Sequence, residues 1–204
     1  MNLLRLGIRL LFLSVILSCA LDHAYAVSSG SSAVSVSAFE NGSLQHEVDL
    51  ALERGAQFLR SHQSGDGFWS NPRQPAITGL ALLALAKNAG PLREQSRDAL
   101  EKGYGFVRNQ VREDGGIYAE GLSNYNTAIC TLALLQQGEA KDADIVERAR
   151  RFLVSQQTTA MAVPDLNGGI GYGPTGVSPK RQHPDLDNTL VSLETLREIG
   201  RAHV

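Results

Sequence analysis

The chain has 204 residues, of which 43% are hydrophobic and 20% are charged, and its formal net charge is -2. This length and apolar content suffice for one modest domain with a buried core. The near balance of charge excludes a nucleic-acid-binding protein, because neutralising phosphates requires a clustered excess of lysine and arginine.

The first 26 residues have the three-part pattern of a secretory signal peptide. Arg5 and Arg9 give a basic start, residues 10–21 form an apolar run, and residues 24–26 supply a small-x-small cleavage site. That run of 12 residues is shorter than the roughly 20 that cross a bilayer as a helix. We therefore predict removal of residues 1–26, export to the periplasm or the cell exterior, and no transmembrane helix in the mature chain.

The first of the two cysteines leaves a second interpretation of the leader open. Residues 16–19 loosely resemble a lipobox, so anchoring through a lipid on Cys19 is the alternative. Without the leader, Cys130 is the one cysteine left, and no disulfide can form within the chain. Cys130 lies in an apolar run, which favours a buried core thiol over a nucleophile.

Residues 27–45 are predicted to be a flexible tether. Six serines fall among the first twelve of these residues, and neither helical nor strand periodicity is present. The folded domain is accordingly predicted over residues 46–204.

Two kinds of helix alternate after the tether. The first kind is apolar on one side only, and such amphipathic helices are predicted over 47–61, 95–110 and 143–157. The second kind is apolar nearly all round and is predicted over 76–88, 125–137 and 187–199. Because the second kind must be covered on most sides, we predict two layers with the amphipathic helices outside. Leu80, Leu132 and Leu193 of the inner layer are expected to be buried.

One pattern recurs three times along these helices. A basic and a small residue precede an aromatic–aliphatic pair, and a glycine-rich turn that ends in an aromatic follows. The pairs begin at Phe58, Phe106 and Phe152, which are 48 and 46 residues apart. Such spacing is typical of stacked supersecondary units that cannot bury their apolar faces alone. We therefore predict an all-α repeat fold.

The turns between the layers contain the residues that recur most regularly from one copy of the repeat to the next. They are Gln63, Gly67 and Trp69 in the first copy, Gly116 and Tyr118 in the second, and Gln157, Gly169 and Tyr172 in the third. In the second copy Val111 stands where a glutamine is expected, unless Gln110 serves after a shift of one residue. A threonine opens each inner helix and, with a neighbouring asparagine, is expected to cap the first helical turn. These threonines are Thr78, Thr127 and Thr189.

The first copy is a complete example of a known motif. Residues 54–69 fit the QW motif, in which Arg-Gly, Phe-Leu, Gln, Gly and Trp follow at fixed spacing. The chain thereby resembles the prenyltransferase and squalene oxidase repeat superfamily, which includes squalene–hopene cyclases and protein prenyltransferase β subunits. The resemblance covers roughly residues 47–200.

This resemblance implies an α/α toroid. In that family the motif joins an outer helix to an inner one, and its glutamine bonds to backbone at the next helix end. A complete ring of this kind has about six helix pairs, whereas three are predicted here. We predict a partial toroid, which is either a fragment of a longer protein or is closed by self-association with another copy.

The resemblance also supplies a candidate catalytic site at residues 184–189. Their sequence is similar to the Asp-x-Asp-Asp-Thr signature of class II terpene cyclases, which would make Asp187 the general acid and Asp185 its partner. Asn188 replaces the last aspartate of the signature, and the same Asn-Thr pair recurs in the second copy without an acid. We therefore interpret Asp187 as a helix N-cap and keep an isoprenoid cyclase as the alternative function.

No metal or other cofactor is predicted. The zinc site of protein prenyltransferases takes an aspartate, a cysteine and a histidine from separate inner helices. Here Cys130 is the only cysteine of the domain, and the histidines lie outside the inner helices at His46, His62, His183 and His203. The enlarged third turn, residues 167–176 with the basic pair 180–181, is either an ordinary surface insertion or a loop that meets a ligand.

The function predicted from the sequence is therefore binding. We expect an exported, non-catalytic module whose apolar centre or open edge takes a hydrophobic, terpenoid-like ligand or a protein partner. Few aromatic residues and the incomplete acidic signature favour this function over the cyclase.

Overall fold

A computed structural model describes residues 36–159, 163–173 and 183–202. The predicted signal peptide, the first nine residues of the predicted tether, Cys19 and His203 lie outside the described residues. The same holds for residues 174–182, which include the basic pair of the third turn.

The described chain is helical, as predicted for an all-α fold. The helices are α1 (Val36–Ser61), α2 (Pro75–Lys87), α3 (Gly90–Gln95), α4 (Arg97–Arg108), α5 (Ser123–Gln137), α6 (Ala143–Ser155) and α7 (Leu186–Ala202), with 3-10 turns at Ala140–Asp142 and Pro164–Leu166. Isolated β-bridges occur in the described residues, but no strand does. The three predicted outer helices correspond to α1, α4 and α6, and the three inner ones to α2, α5 and α7, while α3 was not predicted.

Helix α1 begins at Val36, well before the predicted start of the first outer helix. The prediction of a flexible tether is therefore wrong for residues 36–45. This stretch contains one glycine and no proline, so nothing in it stops a helix that propagates from residue 47 towards the N-terminus. Residues 36–47 of α1 belong to a different contact unit from the rest of the helix, which is part of the unit that begins at Val48. Among the described residues, no helix combines the length and hydrophobicity needed to span a membrane.

The later unit holds two rows of helices. Helices α2, α5 and α7 are neighbours in one row, with α5 in the middle. Helix α4 packs on α2, and α6 packs mainly on α5. Each of these outer helices therefore packs chiefly on the inner helix that precedes it in the chain. Within the described residues, α1 makes no comparably close contact with another helix.

The core lies between the two rows. Its fully buried side chains include Leu82 and Leu85 of α2, Val107 of α4, and Leu134 and Leu153 of the following helix pair. Fully buried aliphatic side chains contribute about 1.5 to 3 kcal/mol each, so this double row rather than any single helix stabilises the fold.

The start of α2 depends on a residue of α5. The backbone N–H of Ala76 in the first turn of α2 donates to Oδ1 of Asn126 at 2.9 Å. The Nδ2 group of Asn126 donates to the Gly121 carbonyl at 3.2 Å, which fixes the orientation of the amide. The asparagine thus caps a helix 50 residues earlier, not its own helix as predicted.

The inner helices are less covered than predicted. Leu80 is 46% exposed and Leu193 54% exposed, while Leu132 is half-buried. Leu80 and Leu132 line a groove made by the inner helices alone. Leu193 lies on α7, and no outer helix follows α7 within the described residues. Leu80 and Leu132 are partly exposed because they face the groove, and Leu193 is exposed because no described outer helix packs on its side of α7.

Candidate functional site

The three turns share one backbone arrangement. A single antiparallel bridge closes each turn, pairing Gln63 with Trp69, Val111 with Ile117, and Gln157 with Ile170. Val111 therefore occupies the position of Gln63, and the alternative that Gln110 serves there is wrong. The residue equivalent to Trp69 is an isoleucine in the other two copies.

The predicted register of the second and third turns is therefore wrong by one or two residues. Tyr118 and Tyr172 follow the bridge residues Ile117 and Ile170 instead of occupying their position. The Tyr118 hydroxyl instead donates to Oδ2 of Asp114 at 2.6 Å. The bridge position requires a buried apolar side chain, which isoleucine provides as well as tryptophan does.

The predicted glycines of the second and third turns are also wrong, each by one residue. The residues with positive φ two positions before the bridge are Gly67 at 90°, Gly115 at 90° and Gly168 at 92°. Gly115 and Gly168, not the predicted Gly116 and Gly169, are therefore the equivalents of Gly67. Such φ values strongly favour glycine.

The threonines of the inner helices hold these turns in place. Oγ1 of Thr78 accepts the Trp69 N–H at 3.1 Å. Oγ1 of Thr127 accepts the Ile117 N–H at 2.9 Å, and Oγ1 of Thr189 accepts the Ile170 N–H at 3.0 Å. The prediction that these threonines cap their own helices is therefore wrong, because each binds the preceding turn to the inner helix.

The first turn is also bound to the next outer helix. The Nε2 group of Gln63 donates to the carbonyls of Gly67 and Ala99, both at 2.9 Å. This agrees with the glutamine role that the QW motif implies, since Ala99 lies in the first turn of α4. Trp69 is 4% exposed, and its Nε1–H donates to the Leu59 carbonyl at 2.7 Å.

The second turn meets α6 in the same manner without a glutamine. A Cβ at Gly67 would come within 2.4 Å of the Lys102 carbonyl, and one at Gly115 within 2.7 Å of the Arg148 carbonyl. Arg148 in turn donates to the Arg112 carbonyl at 2.5 Å. Lys102 and Arg148, the basic residues of the second and third repeats, thus mark the points where the previous turn touches an outer helix.

The third turn keeps its glutamine, but among the described residues no outer helix packs against it. Gln157 donates to the Gly168 carbonyl at 2.8 Å, as Gln63 does to Gly67. A Cβ at Gly168 would lie 3.7 Å from Gln157 and near no backbone of another helix. A Cβ added at Gly169 would come within 2.6 Å of Pro184.

The two candidate catalytic aspartates have separate structural roles. Oδ1 of Asp185 accepts the Asn188 N–H at 2.9 Å, so Asp185, not Asp187, is the N-cap of α7. Asp187 is exposed in the first turn of that helix. A general acid for alkene chemistry needs a carboxyl desolvated in an apolar cavity, and Asp187 does not meet that requirement.

The inner row forms an apolar groove of about 690 Å³. Its apolar wall consists of Leu80, Leu83, Ile129, Leu132, Leu135 and Val191 from all three inner helices. Charged and polar residues line the rest of the groove, namely Lys87, Gln136, Glu194, Glu198 and Arg201. No aromatic residue is among the described lining residues, and neither is Asp187. The sequence indicated an apolar centre, but helical periodicity did not identify which residues face it.

A second cavity, of about 490 Å³, lies beside α3 and α4. Arg108 there donates to both carboxylate oxygens of Asp142, at 2.7 and 2.8 Å, and this bond raises the pKa of Arg108. Burial raises the pKa of Tyr104 to about 12, so its hydroxyl stays neutral at physiological pH. Lys141 and Glu139 are also paired, which favours a structural ion-pair network over an anion site.

Cys130 and His62 both make packing contacts. Cys130 is fully buried, and burial raises the pKa of its thiol well above the ordinary value, as expected for a core residue. The His62 ring stacks on Phe58 with centroids 4.0 Å apart. Within the part of the chain that the structure describes, no three residues among His, Cys, Asp and Glu come together as a metal site would require.

Comparison with known proteins adds no assignment. No protein-family model matches the chain, and a search of curated proteins returned no match. The resemblance based on residues 54–69 therefore remains a prediction.

Proposed function

We propose that the chain is an exported, non-catalytic binding module whose inner groove takes a hydrophobic ligand of terpenoid type. The observation that carries this proposal is the continuous apolar wall contributed by α2, α5 and α7. Polar residues in the same groove would orient one end of an elongated ligand, as is usual for small-molecule sites.

We further propose that the two rows of helices belong to an α/α toroid of the QW-motif type. The support is the repeated turn, with its bridge, positive-φ glycine and threonine bond, which recurs in all three copies. In such an arrangement the groove is the concave side of the inner row. A protein segment with an apolar face is the second class of occupant that this side would accept.

The cyclase alternative receives less support. Its proposed acid, Asp187, is exposed and is not among the residues that line the groove. None of the described residues that line the groove is an aromatic that could stabilise a carbocation. We expect no cyclised product when the protein is incubated with squalene or a prenyl diphosphate. A product that disappears in Asp187→Asn would overturn the binding-module proposal.

Ligand binding is tested by titrating an apolar fluorescent probe such as anilinonaphthalene sulfonate and displacing it with squalene or farnesol. Leu132 is the residue to change, because it lies in the middle helix, lines the groove and is only half-buried. Leu132→Gln should weaken farnesol binding at least about tenfold, the factor that roughly 1.4 kcal/mol produces.

Val154 provides the matched control, since it is 47% exposed and does not line the groove. Val154→Gln should leave the affinity unchanged. Equal affinities for the wild type and both variants would show that the groove is not the binding site.

A further inference from the structure

The chain contains one interface twice. Helix α2 with the first turn receives α4, and helix α5 with the second turn receives α6. In the first instance Leu82 of α2 packs on Gly103 of α4, where an added Cβ would come within 2.7 Å of Leu82 Cδ2. The turn glycine approaches the backbone of the outer helix in both instances.

One half of this interface lies on α1, where it lines an open groove of about 300 Å³ beside α2. By repeat position, Leu52, Gly55 and Phe58 correspond to Leu100, Gly103 and Phe106 of α4 and to Val146, Ala149 and Phe152 of α6. The six residues of α4 and α6 are all buried. In contrast, Leu52 is 48% and Phe58 58% exposed, and a Cβ at Gly55 would meet nothing within 4 Å.

The other half of the interface is exposed on α7 and the third turn. Leu193 corresponds to the fully buried Leu82 of α2, yet it is 54% exposed. Leu190, on the same helix, is 68% exposed. Gly168 has the φ of Gly67, but no described outer helix lies against it, and no described carbonyl bonds to Gln157 as that of Ala99 does to Gln63.

We infer that a second copy of this chain joins these halves, with α1 of one copy packed on α7 and the third turn of the other. Leu193 would then pack on Gly55, Gly168 would approach the Arg54 carbonyl, and Gln157 would donate to the Ala51 carbonyl. Each contact repeats one that the chain already makes internally.

This agreement in detail is what favours a second copy over an unrelated apolar partner. A foreign helix would need an exposed small residue flanked by an exposed apolar pair at the same spacing, which α1 provides in Gly55 with Leu52 and Phe58. The contact is heterologous, because two different surfaces meet, so it closes into a ring or continues as an open chain. It does not depend on what the groove binds.

Cysteine pairing tests the contact directly. Gly55→Cys and Leu193→Cys are prepared separately as full chains in a Cys19→Ser background, with Cys130 left in place because it is fully buried. Under mild oxidation, a mixture of the two variants should give a disulfide-linked dimer, since disulfides require Cα atoms within about 7 Å. Neither variant alone should do so at a comparable rate, because a heterologous contact does not bring two identical positions together.

Val154→Cys in the same background is the control for random collision. Cross-linking of Leu193→Cys with Val154→Cys at the rate seen with Gly55→Cys would overturn the inference. Sedimentation velocity supplies an independent measurement. Leu193→Glu should raise the dissociation constant of self-association at least about tenfold, whereas Val154→Glu should not change it.

A wild-type chain that stays monomeric at the highest accessible concentration would also overturn the inference. Circular dichroism establishes that Leu193→Glu folds, which is expected because the side chain it replaces is largely exposed. Farnesol affinity measured on the same variant separates the two proposals, since Leu132→Gln affects the groove and Leu193→Glu the contact between copies.

Discussion

Helices α4 and α1 carry the same motif in opposite environments. In α4 the small residue Gly103 and the aromatic Phe106 are buried against α2 and the first turn. In α1 their counterparts Gly55 and Phe58 are exposed. The difference shows that the motif specifies half of an interface, and that burial depends on whether the other half is present. Matched substitutions at equivalent positions can therefore isolate what the partner contributes.

The turn glycines should show the largest difference. Gly67→Ala places a methyl group against the Lys102 carbonyl at a positive φ, so we expect a loss of about 3 to 5 kcal/mol in the free energy of unfolding. Gly168→Ala meets the same backbone strain without the clash and should cost about 1 to 2 kcal/mol. Urea denaturation of dilute protein measures both. Equal losses would mean that the contact with α4 adds nothing.

The equivalent leucines should differ nearly as much. Leu82→Ala removes a fully buried side chain and should cost about 2 to 5 kcal/mol. Leu193→Ala removes one that is largely exposed in the single chain and should change the free energy by less than about 0.5 kcal/mol. Repeating the Leu193→Ala measurement at high protein concentration sharpens the comparison. A loss that grows with concentration is expected from the proposed self-association.

Replacing the small residue by alanine should change stability in opposite directions in the two helices. Gly103→Ala puts a methyl group within 2.7 Å of Leu82 and 3.0 Å of Trp69, and should destabilise by about 1 to 3 kcal/mol. Gly55→Ala meets no atom, so the higher helix propensity of alanine should stabilise dilute protein by about 0.5 to 1 kcal/mol. Thermal unfolding followed by circular dichroism distinguishes the signs, and destabilisation by both changes would contradict the comparison.

The helices were largely predictable because their apolar periodicity is local. The six predicted outer and inner helices all occur, with α1 extended by residues that carry no stop signal. Which helix packs on which was not predictable, since the contact between α2 and α4 depends on the path of the chain. Local periodicity also predicted that the groove would be apolar, but it did not predict which residues line it.

The turn register was wrong because conspicuous aromatic residues were aligned with Trp69. The position is defined by burial and by the threonine hydroxyl that accepts its N–H, and Ile117 meets both conditions. The N-cap of α7 was misplaced similarly. Asp185 and Asp187 are both suitable capping residues by type, and only the helix start at Leu186 decides between them.

The bond from Ala76 to Asn126 has a consequence for how the chain folds during synthesis. The first turn of α2 is synthesised well before Asn126, so the Ala76 N–H can form this bond only after α5 has emerged and docked. Completion of this helix end is thereby coupled to a later segment. An N-terminal fragment truncated between residues 88 and 122 should lack the cap and be unable to hold the start of α2 in its native position.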